Sequence, residues 1–344
     1  MLEIDGAHGE GGGQLLRMAV AASALTETPV RVTRIRAGRE KPGLAAQHAT
    51  AVGALAKLCA AEVTGLEIGS KTIEFEPGKI ASGRYSFDVG TAGSITLVLQ
   101  ALLPVVTTAP GPVSVRVTGG TDVPWSPPMD YFTRVFLPLI RRLGAHVDVE
   151  VARRGYYPKG GGIVDTVIEP NRRWSSFDPT DLGEIDRVRG IAHVANLPED
   201  IPKRMKHAAV RRLHGLADVK IEERIYRGAE AIGQGGALVL WAEAGATVLG
   251  SDSLAQRGKP SERIGEEAAA ALRSEIESQA TLDIHAADQL LVYLARANGR
   301  SVFRVREISG HIETMMWLLP QFMLCQFEVS REPPGWRVKV EPRL

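Results

Sequence analysis

One order of elements, strand-helix-strand-helix-strand-strand, occurs three times along these 344 residues and constrains the fold more than any other feature. The first copy runs "LEIDGAHGEGGGQLLRMAVAASALTETPVRVTRIRAG" and then "GLAAQHATAVGALAKLCAAEVTGLEIGSKTIEFEPG". The second opens on "YSFDVGTAGSITLVLQALLPVVTTAPGPVSVRVTGGT" and closes on "GGGIVDTVIEP"; the third opens on "ATLDIHAADQLLVYLARANGRSVFRVREISG". The copies share element order and length rather than residue identity, as a repeated supersecondary unit does. Short β-branched runs at 30–35, 113–117 and 302–305 read as strands, and the Ala/Leu-rich segments between them as helices. Pro104, Pro138 and Pro320 fall where such helices should end or bend. The expected class is α/β (α+β), built from three β-α-β-α-β-β units.

Between the second and third copies lie about a hundred unmatched residues with strands "DRVRGIAHVA" and "GGALVLWAEA", a basic helix and an Ala-rich helix. They are enough for a small inserted α/β domain. The expected division is 1–182 for repeats one and two, 183–279 for the insertion and 280–344 for repeat three, with 172–183 as hinge. Every residue singled out for chemistry lies in the repeats, so the insertion is expected to be dispensable for it.

Net charge is only +1, so no global basic excess attracts nucleic acid and anion recognition must be local. Cys59 and Cys325 suggest neither a disulfide framework nor a zinc motif. The start of the chain has no basic segment followed by an apolar run. The longest apolar stretch, 95–106, is too short for a bilayer. A soluble cytoplasmic protein without a membrane partner is expected.

In α/β proteins ligands gather where strands end and helices begin, because unpaired N–H groups point outward there. Those turns hold Glu10 and Gln14, then Thr91 and Ser94, then Asp288 and Gln289. The second turns add Arg36, Arg39, Lys41 and Gln47, the segment from Asp122 to Pro128, and His311. The loop "GEGGGQ" is neither a Walker P-loop nor a dinucleotide fingerprint, since Gln14 replaces the last glycine. Its glycines at 11–13 are expected to leave room for phosphates. Glu10 beside a phosphate requires a metal or a basic group between them. Five cations crowd into "RVTRIRAGREK", and Arg17 follows one turn into the first helix. Guanidinium groups suit phosphate because they offer paired donors. His311 starts an apolar helix, a place that disfavours imidazolium and keeps the ring nucleophilic.

Together "GEGGGQLLR", "IRAGREKPGL", "GTAGSITLVLQ", "VTGGTDVPWSPP", "YYPKGGG", "ADQL" and the helix-starting His311 resemble the RNA 3′-terminal phosphate cyclase family, in order and across the whole chain. The resemblance implies three repeats around a pseudo-threefold axis with a small inserted domain. It implies an enzyme that uses ATP and a divalent metal (Mg or Mn) to turn an RNA 3′-phosphate end into a 2′,3′-cyclic phosphate. Adenylate would pass first to a histidine and then to the RNA. By the same resemblance His311 is the nucleophile, and Gln100 and the run His285, Ala286, Ala287, Asp288, Gln289 bind ATP. Pro127 and Pro128 wall the adenine, and Asp288 orients the imidazole or contacts the nucleotide. Glu10 lies on the metal or pyrophosphate side, while Gln14, Arg17, Arg36, Arg39 and Gln47 face the terminal phosphate. Two positions depart from the family pattern: His8 stands in place of a glutamine and His285 in place of an aromatic hydroxyl. Such a chain could also be a non-catalytic RNA-binding relative or an enolpyruvyl transferase; the first lacks the histidine and the second needs a wider set of cations. The oligomeric state stays open, a homodimer included.

Overall fold

The computed structural model describes residues 1–179, 181–216 and 218–343. Thr180, in the loop read as a hinge, lies outside the described residues. Repeat one comprises β1 (Leu2–Asp5), α1 (Gly13–Thr26), β2 (Val30–Thr33), α2 (Ala46–Leu58), β3 (Glu62–Thr64) and β4 (Ile73–Glu76). Its sheet runs β1-β2-β4-β3, with β1 parallel to β2 and the other pairs antiparallel. Period-two alternation sets the register: Val30 and Val32 point into the core while Arg31 faces out and pairs with Glu3 and Glu74. Helix α1 is buried from Leu15 through Ala24, and its small residues let neighbours approach from every side.

Repeat two comprises β5 (Gly83–Asp88), α3 (Ile95–Val106), β6 (Val113–Gly119), α4 (Met129–Tyr131), α5 (Leu137–Arg142), β7 (Val147–Gly155) and β8 (Gly162–Ile168). A π-helical stretch, Phe132–Phe136, joins α4 to α5. Pro138 has no N–H to return to the preceding turn, and the widened turn falls just before it. The strand order β5-β6-β8-β7 reproduces that of repeat one, including the single parallel pair at one edge. In α3 every residue is buried except Gln100.

The insertion supplies β9 (Arg187–Ala195), α6 (Asp200–Arg212), β10 (Val219–Tyr226), β11 (Ala231–Ile232), β12 (Gly235–Ala244), β13 (Thr247–Leu254) and α7 (Ser261–Glu277). Its main sheet runs β10-β9-β12-β13, while the short β11 leaves it to extend the repeat-two sheet beside β7. One face packs on α6 and α7 through a core that includes Met205, Leu240, Leu249, Ile264 and Leu272. The other presents Val239 and Val248 to the core of the repeats. Gly250 permits this approach, since a Cβ there would come within 2.7 Å of the Tyr131 ring.

Repeat three comprises α8 (Ile284–Leu294), β14 (Ser301–Val305), α9 (Gly310–Leu318), β15 (Cys325–Glu332) and β16 (Gly335–Pro342), with sheet order β14-β16-β15. The expected first strand of this copy does not form. Thr281 and Leu282 lie alongside β14, but both of their N–H groups donate to the one carbonyl of Arg304. The chain then turns at once into Asp283, the N-cap of α8, so no ladder has room to develop. Both cysteines are free and buried. Among the described residues no helix is long and apolar enough to cross a membrane.

Asp283, 1% exposed, ties three parts together. Its Oδ1 accepts from the N–H groups of His285 and Ala286 at 3.0 and 2.9 Å and from the Tyr131 hydroxyl at 2.6 Å. Its Oδ2 accepts from the Gly250 N–H at 2.8 Å. Asp283→Ala should therefore strand several buried donors and lower the unfolding free energy by about 3 kcal/mol or more. Asp283→Asn, which presents an NH₂ to one of those donors, should cost about 1–3 kcal/mol. Denaturant midpoints of the three proteins check both values; an unchanged Asp283→Ala would show that the knot is not structural.

Candidate active site

The repeats and the insertion enclose a cleft of about 810 Å³. Of the residues singled out in the sequence, Glu10, Gln14, Arg17, Arg36, Arg39, Lys41, Gln47, Gln100, Pro127, His285, Asp288, Gln289 and His311 line it. Thr91, Ser94, Asp122, Pro128, Ala286 and Ala287 are not among its lining. Ala286 and Ala287 are fully buried on the inner side of α8, and Pro128 is buried at the start of α4.

The glycine loop lies on α9, and this sets the position of His311. The His8 ring stacks on Trp317 with centroids 3.7 Å apart and planes 13° from parallel. Gly9 adopts φ +58°, and a Cβ there would sit 2.7 Å from the Thr314 hydroxyl. With both the loop and the helix start fixed, Glu10 Oε2 lies 2.6 Å from His311 Nδ1. The other Glu10 oxygen pairs with Arg39. Burial, with Arg17, His285 and Arg39 acting in the same direction, lowers the His311 pKa against the opposing pull of Glu10. The ring is then neutral at pH 7. With its Nδ1–H directed at a carboxylate, its Nε2 carries the free lone pair.

The expectation for Gly11–Gly13 is narrowed. Gly11 takes φ +57° to make the turn, and a Cβ on Gly13 would collide with the His48 ring. Gly12 is the one whose missing Cβ opens the site, 2.9 Å from the Arg39 guanidinium and 3.7 Å from Glu10 Oε1.

At this end of the cleft the cations outnumber their partners. Arg17 is 6% exposed, and among the described residues it makes no ion pair; its Nε has no hydrogen-bond partner. Burial lowers its pKa to about 10, opposed by Asp288. Arg36, held at φ +52°, spends one N–H on the Gly43 carbonyl at 2.9 Å. A buried guanidinium without a carboxylate is costly unless an anion meets it. His48 beneath them is pushed down to about 3, first by burial and then by Arg17 and Arg36. Gln47 Oε1 accepts from the Ser94 N–H at 3.3 Å.

The opposite end is amide-rich. Gln100 donates to Gln289 Oε1 at 2.7 Å, and Gln289 donates to the His285 carbonyl at 2.6 Å. The His285 ring meets Tyr131 edge-on at 6.2 Å. Asp288 accepts from Gln14 Nε2 at 2.7 Å, its other oxygen is unpartnered, and burial lifts its pKa to about 7. Asp252 and Leu254 of β13 complete the wall. Burial pushes Asp252 up to about 6. The insertion thus reaches this site: a carboxylate of its edge strand faces the cleft. Its sequence signal was slight, a lone aspartate between two serines in β13.

Asp122 belongs to a second polar cluster, not to the cleft. Asp122, Asp130 and His193 could offer metal-ligand atoms within 4.8 Å of one another. Arg154 already supplies the positive charge, with NH1 at 3.2 Å from Asp122 and NH2 at 2.7 Å from Asp130. All four are buried, and they lock repeat two to β9.

A family model described as RNA 3′-terminal phosphate cyclase matches residues 8–329. Curated relatives of that name are similar over essentially the whole chain. The protein from Nitrosospira multiformis is 47% identical over 100% of this chain and 98% of its own length. That from Methanopyrus kandleri is 44% identical over 99% of each chain, and that from Pyrobaculum aerophilum 41% over 99% and 98%. The solved enolpyruvyl transferase NikO from Streptomyces tendae has TM-score 0.28 and 17% identity over 49% of this chain and 33% of its own. That likeness is too slight to bear on fold or activity.

His48 gives this site a pH signature. The unfolded chain binds its proton below pH 6.5 and the folded one only near 3. Stability is therefore lost as pH falls from about 6.5 to about 3, at about 1.4 kcal/mol for each tenfold difference in proton affinity. Subtracting the unfolding free energy of His48→Gln from that of the native sequence cancels the other groups. The difference should decline across that window and be flat above pH 7; a flat difference throughout would mean that the buried ring carries no such linkage.

Proposed function

The chain belongs to the RNA 3′-terminal phosphate cyclase family, and on that premise we propose that the cleft carries out an ATP-dependent cyclisation of RNA 3′-phosphate ends through a histidine adenylate. The Arg39–Glu10–His311 chain is the observation that supports this reading most. Glu10 holds the Nδ1 proton of His311, so Nε2 is the atom that attacks. In the first step Nε2 forms a bond to the α-phosphorus of ATP, and the bond from that phosphorus to the bridging oxygen breaks. Pyrophosphate leaves with the electron pair. An oxygen of the RNA 3′-phosphate then attacks the same phosphorus and releases Nε2. Finally the neighbouring 2′-hydroxyl attacks the 3′-phosphorus, its proton passes to solvent or a nearby base, and AMP departs.

The other roles follow the two ends of the cleft. Gln100, Pro127, His285, Asp288 and Gln289 form the nucleotide end, with Pro128, Ala286 and Ala287 behind it. Gln14, Arg17, Arg36, Arg39 and Gln47 form the end for the RNA phosphate, where a dianion would satisfy Arg17, which has no ion pair among the described residues. Asp288, half-protonated near pH 7, can donate to or accept from the nucleotide. Both Glu10 oxygens are already engaged, one by Arg39 and one by His311, so a divalent cation such as Mg²⁺ or Mn²⁺ fits here only by replacing the Arg39 guanidinium on Oε1 while substrate phosphates complete its shell. Glu10 would hold it, and when bound it supplies neutralisation of phosphate charge. Residues 183–279 are proposed as a domain between 1–182 and 280–344, supported by their separate core.

Incubation with α-labelled ATP should label the protein through an acid-labile, hydroxylamine-resistant bond. His311→Ala should lose the label entirely while unfolding cooperatively; labelling that persists would move the nucleophile elsewhere.

Arg36→Ala should weaken use of 3′-phosphate RNA by about ten- to a hundredfold, more than it slows labelling. Arg39→Ala should slow both, because Arg39 also holds Glu10 against His311. Equal effects of the two substitutions on labelling would contradict the Arg39–Glu10–His311 linkage.

A further inference from the structure

Trp125 lines the cleft, yet is 95% exposed. Of the five tryptophans it is the only one so open, the others being buried or half-buried. It also adopts φ +63°, a left-handed conformation that bulky side chains avoid and that persists where surrounding structure imposes it. The imposition is visible. Pro124, Pro127 and Pro128 restrict the backbone on both sides, and the Ser126 hydroxyl donates to the Val123 carbonyl at 3.1 Å. The turn thus holds a large aromatic face in water at the mouth of a polar cleft.

This turn joins the two ends: Pro127 belongs to the nucleotide end, and a relay of hydrogen bonds links it to the cationic end. Gln47 Oε1 accepts from the Ser94 N–H, the Ser94 and Thr96 hydroxyls are 2.8 Å apart, and Thr96 donates to the Pro127 carbonyl at 2.9 Å. Trp125 stands two residues before Pro127, a span of about 7 Å. A polymer whose terminal phosphate sits among Arg36, Arg39 and Gln47 must leave the cleft through its mouth, so its last base passes this rim. ATP has no chain that must leave.

We propose that Trp125 is a stacking platform for the base of the RNA's 3′-terminal nucleotide, an assignment that rests on the function set out above. Indole faces bind any base, so the platform adds affinity for single-stranded ends without sequence preference. It would complement the arginines, which hold the phosphate and are blind to the base.

The test uses a short 5′-labelled single-stranded RNA with a 3′-phosphate, without ATP, read by anisotropy. Trp125→Ala should weaken binding by about 5- to 150-fold, and Trp125→Phe should retain most of it. Thermal unfolding should not move, because the side chain covers nothing. The same oligonucleotide with an abasic 3′-terminal residue should bind the native protein as weakly as the intact one binds Trp125→Ala, and the substitution should weaken it no further. Equal binding of the intact RNA by the native protein and Trp125→Ala would overturn the proposal. So would a full additional loss with the abasic RNA, or a rise only in the ATP concentration needed for labelling, which would give the platform to the nucleotide. If the native protein bound 3′-phosphate RNA no better than 3′-hydroxyl RNA, the functional reading itself would fail, and the proposal with it.

Discussion

Four donors converge on the carboxylate of Asp283, and they come from α8, α4 and β13. A buried carboxylate is tolerable only when its oxygens are answered in this way. Once it is answered, repeat two, the insertion and repeat three have one relative placement rather than many. The cleft depends on that placement. His285 and Asp288 sit on the helix that Asp283 caps, Asp252 sits two residues beyond Gly250, and His285 meets the ring whose hydroxyl Asp283 receives.

Charge within the cleft is distributed unevenly, and the unevenness separates two kinds of chemistry. Where Arg17, Arg36 and Lys41 have no carboxylate partner among the described residues, the protein leaves an electrostatic debt that a phosphate would settle. Where Gln100 donates to Gln289 and Gln289 to the His285 carbonyl, it offers neutral donors and acceptors suited to a base or a sugar. Glu10 lies at the boundary, held between the Arg39 guanidinium and the His311 ring. A neutral imidazole here is the joint result of burial and surrounding cations, with the adjacent carboxylate opposing them.

Much of this was legible in the residues. Alternation in β2 and β6, the lengths of the apolar helices and the position of Gln100 in an otherwise apolar run all carry local signals. The turn residues Glu10, Arg36, Asp288 and His311 could be named because strand ends and helix starts are local too. Three matters escaped this reading. The segment at 281–282 reads like the opening strands of the other repeats, yet the capping demand of Asp283 shortens it. Ala286 and Ala287 share a motif with Asp288, but helical spacing turns them inward. Asp252 and the exposure of Trp125 depend on how the insertion docks and how one turn is restrained. No window of neighbouring residues contains that information.

The stacking of His8 on Trp317 joins the two ends of the chain, and it has a consequence for the protein's time of birth. A ribosome delivers the glycine loop first and His311 some 300 residues later, a delay of about 15–60 s at common rates of synthesis. Throughout that interval the nascent chain presents the arginines and the glycine loop without the imidazole that Glu10 meets in the folded protein. The cleft is therefore incomplete in unfinished chains, and it is assembled only when the last fifth of the molecule has emerged and folded back upon its beginning.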